Sequence, residues 1–276
     1  MNVVEFTALV FGVSTMAGFL GALTGMGGGV VIVPILTIFL GADIRYAIGA
    51  SLVSVIATSS GAAAAYVKEG FSNIRIGMFL EMATTLGALL GATLVALLPT
   101  NFIAVIFGLV LIYSAFLSVH SRRFDKPEDR PDPLASRLHM DAAYPGDLGP
   151  VAYHVHAVPT GFSLMFVAGA LSGLLGIGSG AVKVLAMDQA MRLPFKVSTT
   201  TSNFMIGVTA AASAGVYLRR GFIAPELVMP VMLGVLAGSL VGARLLVGAR
   251  VRLLRVIFAV AILALGVEMI VTGLHL

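Results

Sequence analysis

Two short glycine-rich stretches decide the fold of this chain. Residues 25–34 read GMGGGVVIVP, and residues 176–185 read GIGSGAVKVL. The first stretch interrupts an apolar run, residues 3–41, that is too long for one ordinary membrane helix. Because glycine adopts backbone conformations that other residues avoid, each cluster predicts a point where one helical segment ends and another begins. Lipid cannot satisfy the exposed amides of such a break, so we expect both breaks to be buried in protein or to face water.

The two stretches belong to an internal duplication. A shift of 151 residues, which carries Gly25 onto Gly176, aligns the second half of the chain with the first. The same shift matches Ser51 to Ser202, Thr58 to Thr209, Tyr66 to Tyr217, Gly87 to Gly238 and Gly91 to Gly242. The four-residue spacing of the last two glycine pairs is typical of close helix packing in membranes. Duplicated membrane domains are common in secondary transporters, whose binding site lies between the repeats.

The composition excludes a soluble domain. Of 276 residues, 58% are hydrophobic and only 11% are charged, against about 45–50% and about 25% in average soluble proteins. At about 20 residues per span, the chain holds roughly eight to ten membrane segments, so we expect an all-α polytopic membrane protein. The net charge of +4 does not indicate a nucleic-acid partner, because the basic residues lie in short loops between apolar runs.

Three regions follow from the distribution of charge. We expect a first membrane repeat at 1–119, a polar cytoplasmic linker at 120–157 and a second membrane repeat at 158–276. Prolines and charged residues crowd the linker, which offers no evident packed core.

The basic residues also predict how the repeats are oriented. If each glycine break folds its segment into a hairpin, each repeat has a broken hairpin plus three spanning helices. Only Arg45, Arg219 and Arg220 then lie outside, and about twelve other basic loop residues lie inside. This distribution favours inverted repeats with both termini outside.

The helices that restart after the breaks predict an anion site. A helix beginning at Val30 or Ala181 presents free N–H groups and the positive end of its dipole. Lys183 stands where the first repeat has Ile32, so the second repeat has gained a cation. A lysine at bilayer depth costs about 2.5–3.5 kcal/mol on insertion scales, which favours a functional role. The alternatives are that Lys183 extends to an interface or pairs with Asp188.

Hydroxyl groups and an amide downstream of each break complete the candidate site, although serine and threonine in membrane helices often only satisfy nearby carbonyls. The predicted substrate-binding residues are Gly27, Gly28, Gly29, Ser51, Gly178, Ser179, Gly180, Lys183, Thr201, Ser202 and Asn203. Glu81 is the candidate for proton coupling if it is buried, and Glu268 is a second candidate on the same condition; the alternative for either is a position near an interface. His139, His154 and His156 are a weak metal signal, so we predict neither a metal nor a cofactor.

At these positions the sequence resembles the TauE/SafE family of sulfite exporters, also called the 4-toluenesulfonate uptake permease family. The resemblance rests on residues 25–29 with Val33-Pro34, on residues 50–54, and on the second copy at 176–180 and 199–203. The second copy departs from the pattern at Ser179 and Leu185. The resemblance implies a multi-pass transporter in a bacterial inner membrane that carries sulfite, sulfonates or related anions without ATP, and not an enzyme.

The sequence therefore predicts a secondary transporter that moves a small sulfur-containing anion (sulfite, sulfonate or sulfoacetate-like) by alternating access. Its partners would be the organic or inorganic anion and membrane lipid. One alternative is an intramembrane hydrolase, because Ser179 and Lys183 have the spacing of a serine activated by a lysine on one helix face. Another is a passive anion channel. The direction of transport and the oligomeric state are left open.

Overall fold

The computed structural model describes residues 2–24, 29–68, 72–119, 132–146, 149–178, 180–246 and 251–275. These residues are helical apart from one short hairpin and the connecting turns. The first half contains α1 (Val3–Thr24), α2 (Gly29–Pro34), a π-helical continuation (Ile35–Phe39), α3 (Ile44–Lys68), α4 (Ile74–Leu94) and α5 (Thr100–Val119). The second half contains α7 (Val158–Leu175), α8 (Gly180–Leu185), a π-helical continuation (Ala186–Ala190), α9 (Phe195–Arg219), α10 (Pro225–Leu246) and α11 (Val251–His275).

Helix boundaries recur at the same 151-residue shift as the sequence matches. The starts that correspond are Gly29 and Gly180, Ile44 and Phe195, Ile74 and Pro225, and Thr100 and Val251. Both short helices widen into π-helical turns at equivalent positions. Pro34 lacks a backbone N–H and so cannot continue the regular hydrogen-bond ladder of the first one. The second short helix, α8, widens at the equivalent position, where Leu185 stands in place of the proline.

Eight of the helices in the described ranges are long, with 18 to 25 residues each. At about 1.5 Å per residue these are about 27–38 Å long, enough for a hydrocarbon core of about 30 Å. Three stretches combine sufficient length with a strongly apolar composition: Ile74–Leu94, Val158–Leu175 and Pro225–Gly242. Large apolar side chains also face outward, such as Leu86, Met82 and Leu109. This chain is a membrane protein whose described long apolar segments are all helical.

The long helices pair in a reciprocal pattern. Helix α1 packs along α10, and α4 packs along α7; α5 packs along α11, and α3 along α9. In the duplication, α1 corresponds to α7 and α4 corresponds to α10. The α1–α10 pair is therefore the counterpart of the α7–α4 pair. The α3–α9 pair lies between them, and the short α2 and α8 pack against it.

Glycines allow the helices of the α4–α7 and α1–α10 pairs to approach closely, as the four-residue spacing of these glycines predicts. A Cβ atom added at Gly87 would overlap the carbonyl oxygen of Phe166, and one at Gly91 would overlap that of Ala170. In the exchanged pair, a Cβ at Gly238 would overlap the carbonyl of Thr15. The packing role of these glycines is confirmed.

The linker folds onto the membrane helices, which corrects one expectation. Its described part holds α6 (Pro133–Arg137) and an antiparallel hairpin of β1 (Ala142–Gly146) and β2 (Gly149–Tyr153). Met140, Tyr153 and Val155 are buried in a cluster that includes Ile76 and Leu80 of α4. The expectation that this segment has no packed core is wrong. Its few apolar residues are dispersed among polar ones, and their packing with residues of the membrane helices makes them part of a core.

Candidate functional site

The start of α4 is joined both to the linker and to α9. Asn73 caps α4 by accepting a hydrogen bond from the N–H of Ile76 at 3.1 Å. Its side-chain amide donates to Tyr153 Oη at 2.8 Å and to the Met140 carbonyl at 3.2 Å. Burial raises the pKa of the Tyr153 phenol, an effect that the hydrogen bond from Asn73 opposes. This phenol therefore stays neutral and available as an acceptor over the ordinary pH range.

The second chain break is held by a residue of the first repeat. Helix α7 ends at Leu175 and is capped by Gly176, whose φ of +67° lies in the left-handed region that favours glycine. Gly178 follows with a φ of +68°. The buried Ser51 of α3 donates a hydrogen bond from its Oγ to the Gly176 carbonyl at 2.7 Å. An α3 hydroxyl thus satisfies a carbonyl that the end of α7 leaves free.

The start of α2 lies beside this junction. A Cβ atom added at Gly29 would lie 2.6 Å from Ser51 Oγ and 3.1 Å from the Gly176 carbonyl oxygen. No side chain fits between these atoms, so glycine at position 29 allows the two repeats to meet. We call the group Gly29, Ser51 and Gly176, together with Gly180, the junction.

Helix α8 begins on the other side of the junction. Ser202 of α9 donates to the Gly180 carbonyl at 3.4 Å. A Cβ at Gly180 would lie 2.8 Å from Ile206 Cδ1, and one at Gly178 would lie 3.0 Å from Ile206 Cγ2. Gly29, Gly178, Gly180, Ser51 and Ser202 of the predicted site are therefore close together. Gly27, Gly28 and Ser179 lie outside the described residues.

One predicted member, Thr201, contacts α4 instead of the junction. The buried Thr201 accepts a hydrogen bond from the N–H of Asn73 at 3.1 Å, and its methyl group faces Gly77 of α4. Asn203 is half-buried. Successive helical residues point about 100° apart, so residues 201–203 cannot all face one site. Ser202 is the one of the three that contacts the junction.

Lys183 is completely buried, with 0% of its surface exposed. Its Nζ donates to Thr209 Oγ1 at 2.6 Å, and Thr209 Oγ1 donates to Glu81 Oε1 at 2.7 Å. Lys183 therefore reaches Glu81 through one hydroxyl group. The alternative that it extends to an interface is wrong, and the hydrogen bond described for Nζ goes to Thr209 rather than to Asp188.

Glu81 is held by further hydroxyls of its own helix. Thr84 Oγ1 lies 3.0 Å from Oε2, and Thr85 Oγ1 lies 3.0 Å from Oε1. The carboxylate is 8% exposed and accepts hydrogen bonds on both oxygens. We call Lys183, Thr209, Glu81, Thr84 and Thr85 the charge network. It joins α8, α9 and α4.

Sequence reasoning singled out both charges but not the threonines that join them. Thr209 was visible as the copy of Thr58, and it lies seven residues after Ser202, two helical turns along one face. Thr84 and Thr85 stand three and four residues after Glu81, the spacing of neighbours on a helix surface. Helix periodicity could have found these residues as a set.

An open pocket of about 470 Å³ lies apart from the charge network, where the linker meets α4. Its lining includes Asn73, Arg75 and His139, and the Arg75 guanidinium donates to the His139 carbonyl at 2.6 Å. Within the described ranges, His, Asp and Glu side chains form no group of three or more that could hold a metal ion.

Known proteins of similar sequence define the class of this molecule. The chain is 27% identical over 266 residues to "Probable membrane transporter protein YunE" of Bacillus subtilis (strain 168), covering 94% of this chain and 95% of that one. It is 26% identical over 237 residues to "Probable membrane transporter protein YdhB" of the same strain, covering 86% and 87%. A "Probable membrane transporter protein" of Xylella fastidiosa (strain 9a5c) is 23% identical over 270 residues, covering 97% and 96%. These names and the apolar helices indicate a transporter of the cell membrane rather than an enzyme.

The sequence also defines the family of this chain. The model of the family "Sulfite exporter TauE/SafE" matches residues 10–269, nearly the whole chain. The chain therefore belongs to the TauE/SafE sulfite exporter family. No solved structure gives a significant match.

Proposed function

We propose that this protein is a secondary transporter that moves a small sulfur-containing anion across the cell membrane by alternating access. The observation that carries the proposal is the fully buried lysine of α8, adjacent to the junction of the two repeats. Charged side chains inside membrane segments are costly and are retained where an ion or substrate pathway needs them. The transporter names of the relatives support the class, and the family description supports a sulfur oxyanion as substrate.

The binding site is proposed on two facing helix surfaces. Gly180 and Lys183 are three residues apart and share one face of α8, and Ser202 and Thr209 share one face of α9. One hydrogen bond joins Ser202 to Gly180, and a second joins Lys183 to Thr209. Lys183 would neutralise the anion, while Ser51, Ser202 and the amides around Gly27–Gly29 and Gly178–Gly180 would donate to its oxygens. Thr201 and Asn203 would not contact it directly.

We further propose that the two repeats, 1–119 and 158–276, are inverted relative to each other. The reciprocal pairing of α1 with α10 and of α4 with α7 supports a twofold relation between them. The distribution of basic residues favours an axis in the membrane plane, with the linker in the cytoplasm. Access would alternate as the repeats rock about the α3–α9 pair.

Counterflow in proteoliposomes tests this function. We expect vesicles loaded with sulfite, methanesulfonate, sulfoacetate or taurine to accumulate the same labelled compound through the unmodified protein. Saturable counterflow distinguishes a transporter from a passive channel.

Lys183→Ala should reduce the exchange rate at least about tenfold, because a charge-assisted contact to the anion is worth about 1.5–3 kcal/mol. The matched control is Lys196→Ala, which removes an exposed lysine of α9. Equal exchange by Lys183→Ala and the unmodified protein would show that the lysine assignment is wrong.

Labelling addresses the hydrolase alternative. The Ser179/Lys183 pair predicts covalent modification by a fluorophosphonate that disappears in Ser179→Ala. We expect no such label, because the amine of Lys183 is hydrogen-bonded to Thr209. Specific labelling of Ser179 would favour the enzyme.

A further inference from the structure

We infer that the charge network couples anion binding to the uptake of one proton by Glu81. The inference rests on the proposed transport function and deepens it by naming the coupling ion and the group that carries it. When no anion is bound, Glu81 is the counter-charge of Lys183. A bound anion replaces Glu81 as that counter-charge.

When no anion is bound, the charges of Lys183 and Glu81 balance each other. Lys183 and Glu81 are both buried and carry opposite charges, and the Thr209 hydroxyl lies between them at 2.6 and 2.7 Å. With both groups ionised the network has no net charge, which is the arrangement that a low-dielectric surrounding permits. An anion that binds Lys183 adds one negative charge and leaves the Glu81 carboxylate without its counter-charge. Protonation of Glu81 restores neutrality.

Other ionisable groups on the packed elements do not supply this balance. Helix α7 has none, α5 contributes the exposed Tyr113, and α4 contributes the exposed Arg75. Helix α9 holds Lys196, Arg219 and Tyr217 toward its ends, and Asp188 lies in the π-helical turn after α8. Within the described residues, Glu81 is the charged group joined to Lys183 through a single hydrogen-bonded hydroxyl.

Thr209 gives the network a way to accommodate the proton. Its hydroxyl lies 2.7 Å from Glu81 Oε1 and 2.9 Å from the Met205 carbonyl, so it has two acceptors for one hydrogen. In the empty state it donates to the carboxylate and accepts from Lys183. When a proton from water forms an O–H bond at Glu81, that O–H donates to Thr209 Oγ1, and Thr209 turns its own hydrogen to Met205. Thr209 is thus a positioning residue whose hydroxyl lets Glu81 change its protonation state without leaving a polar atom unpaired.

The test measures whether a pH gradient drives accumulation. The probe is methanesulfonate, a monoanion that is fully ionised at about pH 6 to 8 and carries no proton itself. With potassium and valinomycin holding the membrane potential at zero, an inward gradient of about one pH unit should give about tenfold accumulation for one proton per anion. Trapped pyranine should report acidification of the lumen during uptake.

Variants assign the proton to the network. Glu81→Gln keeps the size of the side chain but cannot ionise, so the ratio of gradient-driven to equal-pH uptake should fall to about one. Glu268→Gln is the matched control, because Glu268 is exposed on α11 and should leave that ratio unchanged. Thr209→Val removes the bridging hydroxyl and should shift the pH profile of uptake, whereas Thr209→Ser should restore the unmodified profile.

The outcomes separate the two proposals. Counterflow without proton movement in the unmodified protein would overturn the coupling and leave the transport function standing. No counterflow of any of the four compounds would overturn the transport function itself. Retained gradient-driven accumulation in Glu81→Gln, or a Thr209→Val profile identical to that of the unmodified protein, would show that the proton binds elsewhere.

Discussion

At the scale of single residues, the molecule contains a buried lysine and a buried glutamate that are joined through one hydroxyl group. Lys183 and Glu81 are both buried, and each is hydrogen-bonded to threonine hydroxyls. Burying two charges costs much of what their attraction returns, so such a pair is weak evidence for stability and stronger evidence for function. Their stability effects should accordingly depend on each other.

A double-mutant cycle measures that dependence. Lys183→Met or Glu81→Gln alone should destabilise the protein, and Lys183→Met by about 3–5 kcal/mol, because it leaves a buried carboxylate unpaired. The double variant should be more stable than the sum of the single effects predicts. Thermal unfolding in detergent, followed by size-exclusion chromatography, provides the four stabilities. Additive effects would mean that the two charges do not interact.

At the scale of elements, the two interrupted segments meet at the junction rather than in separate halves of the molecule. Helix α3 of the first repeat satisfies the end of α7 through Ser51, and Gly29 at the start of α2 lies against the same atoms. Helix α3 therefore contacts the start of α2, and α9 contacts the start of α8. Close packing at this point makes the junction sensitive to a single methyl group.

Gly29→Ala should destabilise the protein by about 1–3 kcal/mol, because its methyl group would lie 2.6 Å from Ser51 Oγ. Adding Ser51→Ala removes that oxygen and should recover part of the loss, although Val55 and the Gly176 carbonyl still limit the space. Gly12→Ala is the control, since nothing lies within 4 Å of a Cβ there. It should be neutral or slightly stabilising in the same unfolding assay. A Gly29→Ala protein as stable as the control would contradict the close contact.

At the scale of the whole molecule, the long helices of the second half pack along the long helices of the first. The linker connects them and also packs against α4 next to Thr201, one residue from the junction serine of α9. A change in the relative position of the repeats must therefore move α9 relative to α4, which is also where Thr209 meets Glu81. Transport by rocking would in this way act directly on the charge network.

Cysteine labelling tests the inverted arrangement. The chain has no cysteine of its own, so single substitutions give an unambiguous signal. Asn2→Cys and His275→Cys should react with a membrane-impermeant maleimide from outside intact cells, because the proposed topology places both termini outside. Ala143→Cys, exposed on β1 of the linker, should react only after the membrane is opened. Labelling of all three from the same side would show that the repeats are not inverted.

The sequence by itself determined the membrane class, the duplication, the family and the interruption that follows α7. These properties are local: composition sets the preference for lipid, glycine clusters set the breaks, and a repeated pattern needs only to be aligned with itself. The sequence also singled out Lys183 as a candidate, since a single cation in an apolar run has few structural reasons to be there.

Only the tertiary structure decided which side chains meet. It joined Glu81 to Thr209 across 128 positions of sequence, directed Thr201 to Asn73 instead of the junction, and gave the linker a core. A sequence pattern records which face of each helix a residue occupies, but not which other helix that face contacts. That choice depends on how glycine grooves and side-chain volumes fit together over the whole molecule, because close packing of distant segments is a property of their joint shape.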